Sequence, residues 1–331
     1  MRVLLIGATG QIGYALATAL AKTEHEISVL VREASRLAFP GCVKVMESNS
    51  FDAVSFREAL TNIDHVIYGV GLPAQFLSDE AQFDRVNRGL LEQFLAELRG
   101  LGPFSLTYVS TYEVFEAQKG LIRESHPVAD ERAMTSYFRA MTQAYRLVIR
   151  FAAKHGLQLT TIHPAAVYGG LNTGDGITNY VENLANRRFW RVPFVVSGRF
   201  PVVHVESLAD AIVKSLGRQG AYIMSDQMTT LQEIARTVKG CTNSYVPVSA
   251  PLWLAKAGTG VLEVGAKVWR QKPVMARVQI EFISKGLEPR SDKAIAELGW
   301  KPLPLATGVQ RYLRQQVPGR EFPSDDGGSG G

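Results

Sequence analysis

Three glycines carry the first chemistry in this chain. Gly7, Gly10 and Gly13 follow an apolar run at residues 3–6, and a helical pattern comes next, with Tyr14, Ala17, Leu20 and Ala21 on one side. Strand, tight turn and helix, in that order, form the context in which a glycine triplet cradles a dinucleotide. Gly7 permits the sharp turn, Gly10 keeps side chains off a pyrophosphate, and Gly13 lets helix and strand pack closely. The segment Thr9, Gly10, Gln11, Ile12, Gly13 then offers the unpaired N–H groups of a helix N-terminus to the phosphates.

The second chemical position is the end of the next strand, read at 27–31. A carboxylate there would accept the ribose hydroxyls of NAD; this chain has Arg32, with Arg36 shortly beyond. A guanidinium pairs with a 2′-phosphate and stacks on adenine, so the expected cofactor is NADP(H). A third strand at 43–47 precedes Asn49, expected at the adenine edge, and Asp52, expected to cap the helix holding Phe56, Ala59 and Leu60. A fourth strand at 64–71 ends in glycines, and Gly69 should lie close to the cofactor. Asn87, inside a helical stretch at 79–99, can hold backbone or water. A fifth strand at 104–110 delivers Ser110 and Thr111 to a loop. A sixth at 157–162 ends at His163 and Pro164, where a neutral imidazole can relay a proton near pH 7.

The elements that must position these groups alternate strand and helix six times, with a long helix at 137–155. That pattern specifies an α/β fold, a doubly wound parallel sheet of the Rossmann type, with all strand ends on one edge. The expected organisation is a dinucleotide-binding domain at 1–168, to which 200–216 return. A mostly helical substrate lobe spans 169–323, and a disordered Gly/Ser-rich tail covers 324–331.

Composition narrows the partners. The 331 residues are 46% hydrophobic and 20% charged, enough for a large core. The net charge of +5 comes from 36 basic and 31 acidic residues spread along the chain, with no basic tract for nucleic acid. No apolar run reaches membrane-spanning length, and no signal peptide is read. Cys42 and Cys241 stand alone, which suits a reducing, cytoplasmic setting, and the histidines form no metal-ligand spacing. The implied partner is a small-molecule substrate. A homodimer could form through paired helices, 79–99 and 137–155, with Ala140, Ala144, Leu147 and Val148 as a seam.

Across nearly the whole chain the sequence resembles the extended short-chain dehydrogenase/reductase family, which includes nucleotide-sugar epimerases, dihydroflavonol-type reductases and 3β-hydroxysteroid-type dehydrogenases. GATGQIG at 7–13 is similar to its glycine motif and VSTYEVF at 109–115 to its serine/threonine strand end. HPAAVYGG at 163–170 resembles its post-helix segment, and VVHVESLADAI at 202–212 and SDKAIAELGW at 291–300 its C-terminal signatures. The resemblance implies a Ser/Thr–Tyr–Lys catalytic group with Thr111 as the hydroxyl and Tyr137 as the tyrosine. It also implies that Pro164, Val167 and the residue at 141 border the nicotinamide.

Residue 141 departs from the pattern: the sequence is YFRAM, with Met141 where the family has lysine. Residues i and i+4 share a helix face, so a lysine there would favour tyrosinate by its charge. Methionine offers neither charge nor donor. Tyr137 is therefore expected to stay a neutral phenol, able to donate a proton and poor as a general base. Three activities are compatible with this. One is NADP(H)-dependent reduction of a carbonyl, with Tyr137 as proton donor and Thr111 orienting the oxygen. Another is non-standard chemistry: dehydration, isomerisation, rearrangement or epimerisation of a nucleotide sugar. The third is NADP binding without turnover, as a sensor or scaffold. Trp190, Phe194, Phe200, Trp253, Trp269 and Phe282 supply apolar area, and Arg187, Arg188, Arg191 and Arg199 leave a nucleotide sugar open; it is mainly the resemblance to the family's reductases that implies a hydrophobic or aromatic compound of secondary metabolism as substrate.

Overall fold

The computed structural model describes residues 1–32, 37–48, 50–72, 80–99, 105–130, 135–171, 176–188, 194–251, 283 and 285–316. Arg36, Asn49, Trp190, Trp253, Trp269, Phe282 and the expected tail at 324–331 lie outside these residues. The chain is organised on a seven-stranded parallel sheet. Its first four strands in sequence are β1 (Arg2–Ile6), β2 (Glu26–Val31), β3 (Val43–Glu47) and β4 (His65–Tyr68). β5 (Ser105–Val109), β7 (Gln158–Pro164) and β11 (Gly220–Met224) complete it, the short strands β6 (Leu121–Ile122) and β9 (Phe194–Val196) lie outside it, and the spatial order is β11-β7-β5-β4-β1-β2-β3. β1, β4 and the middle of β7 are buried on both faces, the unbroken apolar pattern that a parallel sheet covered by helices requires.

Helices cover both faces. α1 (Gln11–Leu20) packs against α7 (Val205–Lys214). α2 (Ala53–Ala59), α4 (Leu90–Glu97) and α5 (Ser136–His155) pack in series. Asp52 caps α2 in a full capping box with Ser55. The helical stretch ahead of α4 is not uniform. A short α3 (Glu80–Phe83) widens into a π-helical turn at Asp84–Gly89 before α4 begins. α5 ends where Gly156 adopts the left-handed conformation, with Lys154 and His155 in its last turn.

Two differences from the sequence reading concern strands. The seventh strand, β11, lies beyond residue 216, the end of the stretch expected to return to the sheet. The strand read at 200–204, β10 (Phe200–His204), joins a separate sheet with β8 (Ala166–Tyr168) and β12 (Gln227–Thr229). A second apolar core gathers beside it, built from Tyr168, Val181, Leu184, Phe200, Ile234 and Val309. These residues come from β8, β10, α6 (Gly176–Ala185), α8 (Leu231–Cys241) and the last helix, here α10 (Leu305–Gln316).

The expected dimer seam is also corrected. Ala140, Ala144 and Val148 are buried within the chain, so they fasten α5 to its own core rather than face a second copy; Leu147 is half-buried.

The C-terminal segment returns to the main core. Trp300, after α9 (Asp292–Leu298), is buried, and its indole N–H donates to the Ser207 carbonyl and hydroxyl oxygens, both at 3.0 Å. The Ser207 hydroxyl donates to Asp226, 3.0 Å away. That carboxylate also accepts the backbone N–H groups of His204 at 2.6 Å and Leu303 at 2.9 Å. Burial raises the Asp226 carboxyl to about 6, against the opposing pull of these three bonds.

Candidate functional site

The parallel strands bring Gly7, Arg32, Gly69, Ser110, Thr111, His163 and Pro164 to one edge of the sheet. At its centre β1 runs into Gly7, whose φ is +97°. A β-carbon there would lie 2.8 Å from the Gly69 carbonyl group. A β-carbon at Gly13 would overlap the Gly7 carbonyl oxygen. Gly10 differs from both: the nearest atom to a β-carbon there is the Gly7 oxygen at 3.7 Å, so its outer side is open. Gly10 is also the N-cap of α1, with no side-chain cap and no acidic residue in the first turn. Three glycines thus meet three separate needs, and the open position lies over an uncapped helix N-terminus. That geometry fits a diphosphate, which the N–H groups and the helix dipole both favour.

The neighbours of this turn divide by direction. Thr9 is exposed in the turn, and Ile12 packs on the core. The Gln11 side chain reaches away, donating from Nε2 to the Gly169 carbonyl at 2.7 Å and to the Thr178 hydroxyl at 2.8 Å. Arg32 is exposed at the end of β2, its guanidinium 5.9 Å from the centre of the Phe51 ring. The Gly69 N–H donates to the Ile6 carbonyl, 2.9 Å away. Asn87 is buried in the π-helical turn, and its carboxamide grips the backbone of Leu72 from both sides. Its oxygen accepts the Leu72 N–H at 2.6 Å, and its Nδ2 donates to the Leu72 carbonyl at 3.2 Å. Asn87 therefore shapes the strand end that follows Gly69.

The other half of the edge is built by β5, β7 and α5. Ser110 is buried, with its N–H on the Ile162 carbonyl at 2.7 Å and its hydroxyl without a protein partner. A buried hydroxyl left unmatched at a strand end is a position where a bound group can complete the bonding. Thr111 is buried and begins a 3₁₀ turn, Tyr112–Val114, which packs against α5. Tyr137 lies near the start of α5, half-buried, edge-on to Phe83 at 5.7 Å and to Phe138 at 4.9 Å. Burial pushes its phenol well above the ordinary tyrosine range, and the charge of nearby Glu113 pushes it further. Glu113 is itself buried. Met141, one turn along α5 from Tyr137, is buried in the main core.

His163 is fully buried, between the rings of Phe115 at 4.6 Å and Tyr145 at 5.0 Å. Its Nδ1 lies 3.0 Å from the Thr111 carbonyl, which can only accept, so Nδ1 carries the proton. Nε2 then accepts from the Thr161 hydroxyl at 2.8 Å. Both nitrogens are engaged and burial lowers the ring to about 3, despite the bond to Thr111. The ring is therefore a neutral brace that fixes the Thr111 backbone; the proton relay expected from the sequence has no free nitrogen to work with. Pro164 closes β7 opposite Met224. Val167 pairs with Val203 in the smaller sheet and packs on the main core. Tyr168 is buried edge-on to His204 at 5.1 Å.

The sequence reading missed Glu113 and the bonding of Gln11. The signal for Glu113 was present: one carboxylate inside the apolar run VSTYEVF, two residues after Thr111. Phe200, offered as substrate-facing, is buried, whereas Phe194 is 62% exposed. Among the described residues no cluster of His, Cys, Asp and Glu could hold a metal ion, and no helix is long and apolar enough to cross a membrane.

Comparison with known proteins agrees with this architecture. The chain is 22% identical over 347 residues to a dihydroflavonol 4-reductase of Zea mays, covering 96% of this chain and 94% of the relative. The UDP-glucose 4-epimerase of Thermotoga maritima, solved with UDP-glucose, superposes with a TM-score of 0.77 at 16% identity over 96% of this chain and 99% of that one. The Thermus thermophilus UDP-glucose 4-epimerase, solved with NAD, gives 0.72 at 19% identity over 95% and 98%. At such identities the two structures testify to fold. A family model, that of the NAD dependent epimerase/dehydratase family, matches residues 3–222. Because this match runs from β1 into β11, through every strand of the main sheet, the chain belongs to the NAD dependent epimerase/dehydratase family.

Proposed function

We propose that the chain is an NADP(H)-dependent oxidoreductase that reduces the carbonyl of a hydrophobic or aromatic small molecule. One observation carries the direction of the reaction. Tyr137 has a buried carboxylate, Glu113, as its charged neighbour and a thioether at the position of the usual cation. Both features keep the phenol protonated, so it serves as an acid. In this reading Tyr137 donates its proton to the carbonyl oxygen. Thr111, its backbone braced by His163, hydrogen-bonds the same oxygen and shares its developing charge. The dinucleotide, when bound, supplies hydride to the carbonyl carbon. Gly7, Gly10, Gly13 and the first turn of α1 would hold its diphosphate, Arg32 its 2′-phosphate, and the Ser110 hydroxyl a polar group beside the strand end. The reductase name of the maize relative supports the same reaction class.

A second reading takes Glu113 as a base. A buried carboxylate two residues from Thr111 is the group that an elimination needs to remove a proton, so dehydration is the alternative activity. One set of assays separates them. Purified protein is incubated with NADPH, then NADH, and a panel of aromatic and aliphatic ketones and aldehydes, following nicotinamide absorbance. Tyr137→Phe should lower the reduction rate by about 10²–10⁴-fold, with dinucleotide affinity retained. A full rate in that variant would sink the assignment of Tyr137. Loss of activity in Glu113→Gln with no net nicotinamide oxidation in the parent would favour elimination.

A further inference from the structure

We propose that Gln11 is a positioning residue that couples the phosphate-binding turn to the substrate lobe, so that binding of the dinucleotide orders the lobe before substrate enters. The inference rests on the dinucleotide reading given above and adds a role for a side chain that does not face the phosphates.

Gln11 opens the first turn of α1, and its backbone belongs to the proposed phosphate cradle. Its carboxamide spends both donors on the junction between β8 and α6: Nε2 reaches the Gly169 carbonyl at 2.7 Å and the Thr178 hydroxyl at 2.8 Å. The orientation of the amide is fixed, because the Gly169 carbonyl can only accept. The Thr178 hydroxyl, itself buried, also accepts the Gly169 N–H at 3.0 Å. Gly169 is thus bonded through both its N–H and its carbonyl, and His204 closes its remaining side, where a β-carbon would overlap the imidazole. Beyond this knot the tie continues: α6 packs on α8, and the Tyr180 hydroxyl of α6 donates to the Leu231 carbonyl of α8 at 2.8 Å. One side chain therefore links the helix end where the anion would sit to the helices that form the second core. Ordering the first turn of α1 lowers the cost of ordering the junction, and by linkage an ordered junction favours the dinucleotide.

Amide hydrogen exchange tests this on the full chain. Without nucleotide, Gln11→Ala should speed exchange of the amides at 169–170 and 176–181 by on the order of tenfold, because two shared hydrogen bonds are gone. Exchange in β1 should be unchanged. Equal exchange in the variant and the parent would overturn the clamp. With NADPH as the probe, the parent should gain protection at 176–185. Thr178→Val, at the receiving end and outside the cradle, should lose that gain and, by linkage, bind NADPH a few-fold more weakly; Thr178→Ser should restore both. Protection that persists in Thr178→Val would overturn the coupling. A parent chain that binds neither NADPH nor NADH would remove the proposed cofactor and the coupling together, and the nucleotide-free comparison would then judge the clamp alone.

Discussion

α1 and α5 both begin at the carboxyl edge of the sheet, yet they meet it under different rules. At α1 the fit is made by backbone: Gly7 and Gly13 sit where a β-carbon would strike main-chain atoms, and a main chain cannot move aside. At α5 the fit is made by side chains: Phe83 and Phe138 around Tyr137, Glu113 nearby, and Met141 one turn along. The comparison teaches where the function is free to vary. A site set by backbone contacts tolerates almost no substitution, whereas a site set by side chains can change its chemistry and keep its fold.

The sharpest way to break this comparison is to place one methyl group in two neighbouring positions of α1. Gly13→Ala forces a β-carbon into the Gly7 carbonyl and should cost about 3 kcal/mol or more, read by urea unfolding. Gly10→Ala has room for its methyl group and should cost no more than about 1 kcal/mol, yet weaken NADPH binding at least about tenfold. Similar losses of stability in both would refute the division of labour among the glycines.

At α5 the matching experiment is Met141→Lys. An ammonium placed in this buried position should lower stability by about 2 kcal/mol. It should also bring the alkaline limit of the rate down, because Tyr137 gains a cation that favours its ionised form. In the parent that limit should lie above about pH 10, the ordinary tyrosine value. An unchanged pH profile in the variant would show that residue 141 does not govern the phenol.

The pH dependence of stability sharpens the picture of the α5 end. Burial lowers His163 to about 3, and the value in the unfolded chain is about 6.5. The folded chain therefore refuses a proton that the unfolded chain takes up. This contribution to stability is complete above pH 6.5 and is lost as pH falls towards 3, at about 1.4 kcal/mol per pH unit. His65 and His204, each lowered to about 4, act in the same direction. Asp226, raised to about 6 from 3.8, acts in the opposite direction and returns part of the loss between those values. Unfolding midpoints should therefore fall below pH 6.5, and His163→Asn should make the fall shallower; a slope equal to the parent's would refute the neutral brace. The smallest effect expected is at the ribose end. Arg32→Ser should reduce the preference for NADPH over NADH by on the order of tenfold in paired titrations, and an unaltered ratio would release Arg32 from that role.

How far these features could be read from residues depended on the kind of contact involved. The turn at Gly7, the cap at Asp52 and the helix ending at Gly156 follow from local chemistry, and each was legible as a short pattern. β11 was missed because GAYIM is a brief apolar run without alternation, and only its pairing with β7 makes it a strand. The π-helical turn at Asp84–Gly89 shifts a hydrogen-bond register without altering the apolar spacing, so periodicity could not reveal it. Glu113 beside Tyr137, and the proton on His163 Nδ1, owe their states to neighbours distant in sequence. The place of Tyr137 at the start of α5 was therefore readable, and its electrostatic surroundings were not.

The bond from Trp300 to Ser207 has a consequence for biosynthesis. Ser207 is buried and Asp226 half-buried, and the groups that complete their bonding, the Trp300 indole and the Leu303 N–H, are made 93 and 77 residues later. While a ribosome is still translating that stretch, the sheet can assemble but its last crossover has no lock. Closure of the molecule thus waits until residues 300–303 have been made, and a chain released before residue 300 should be captured by chaperones and proteases rather than accumulate.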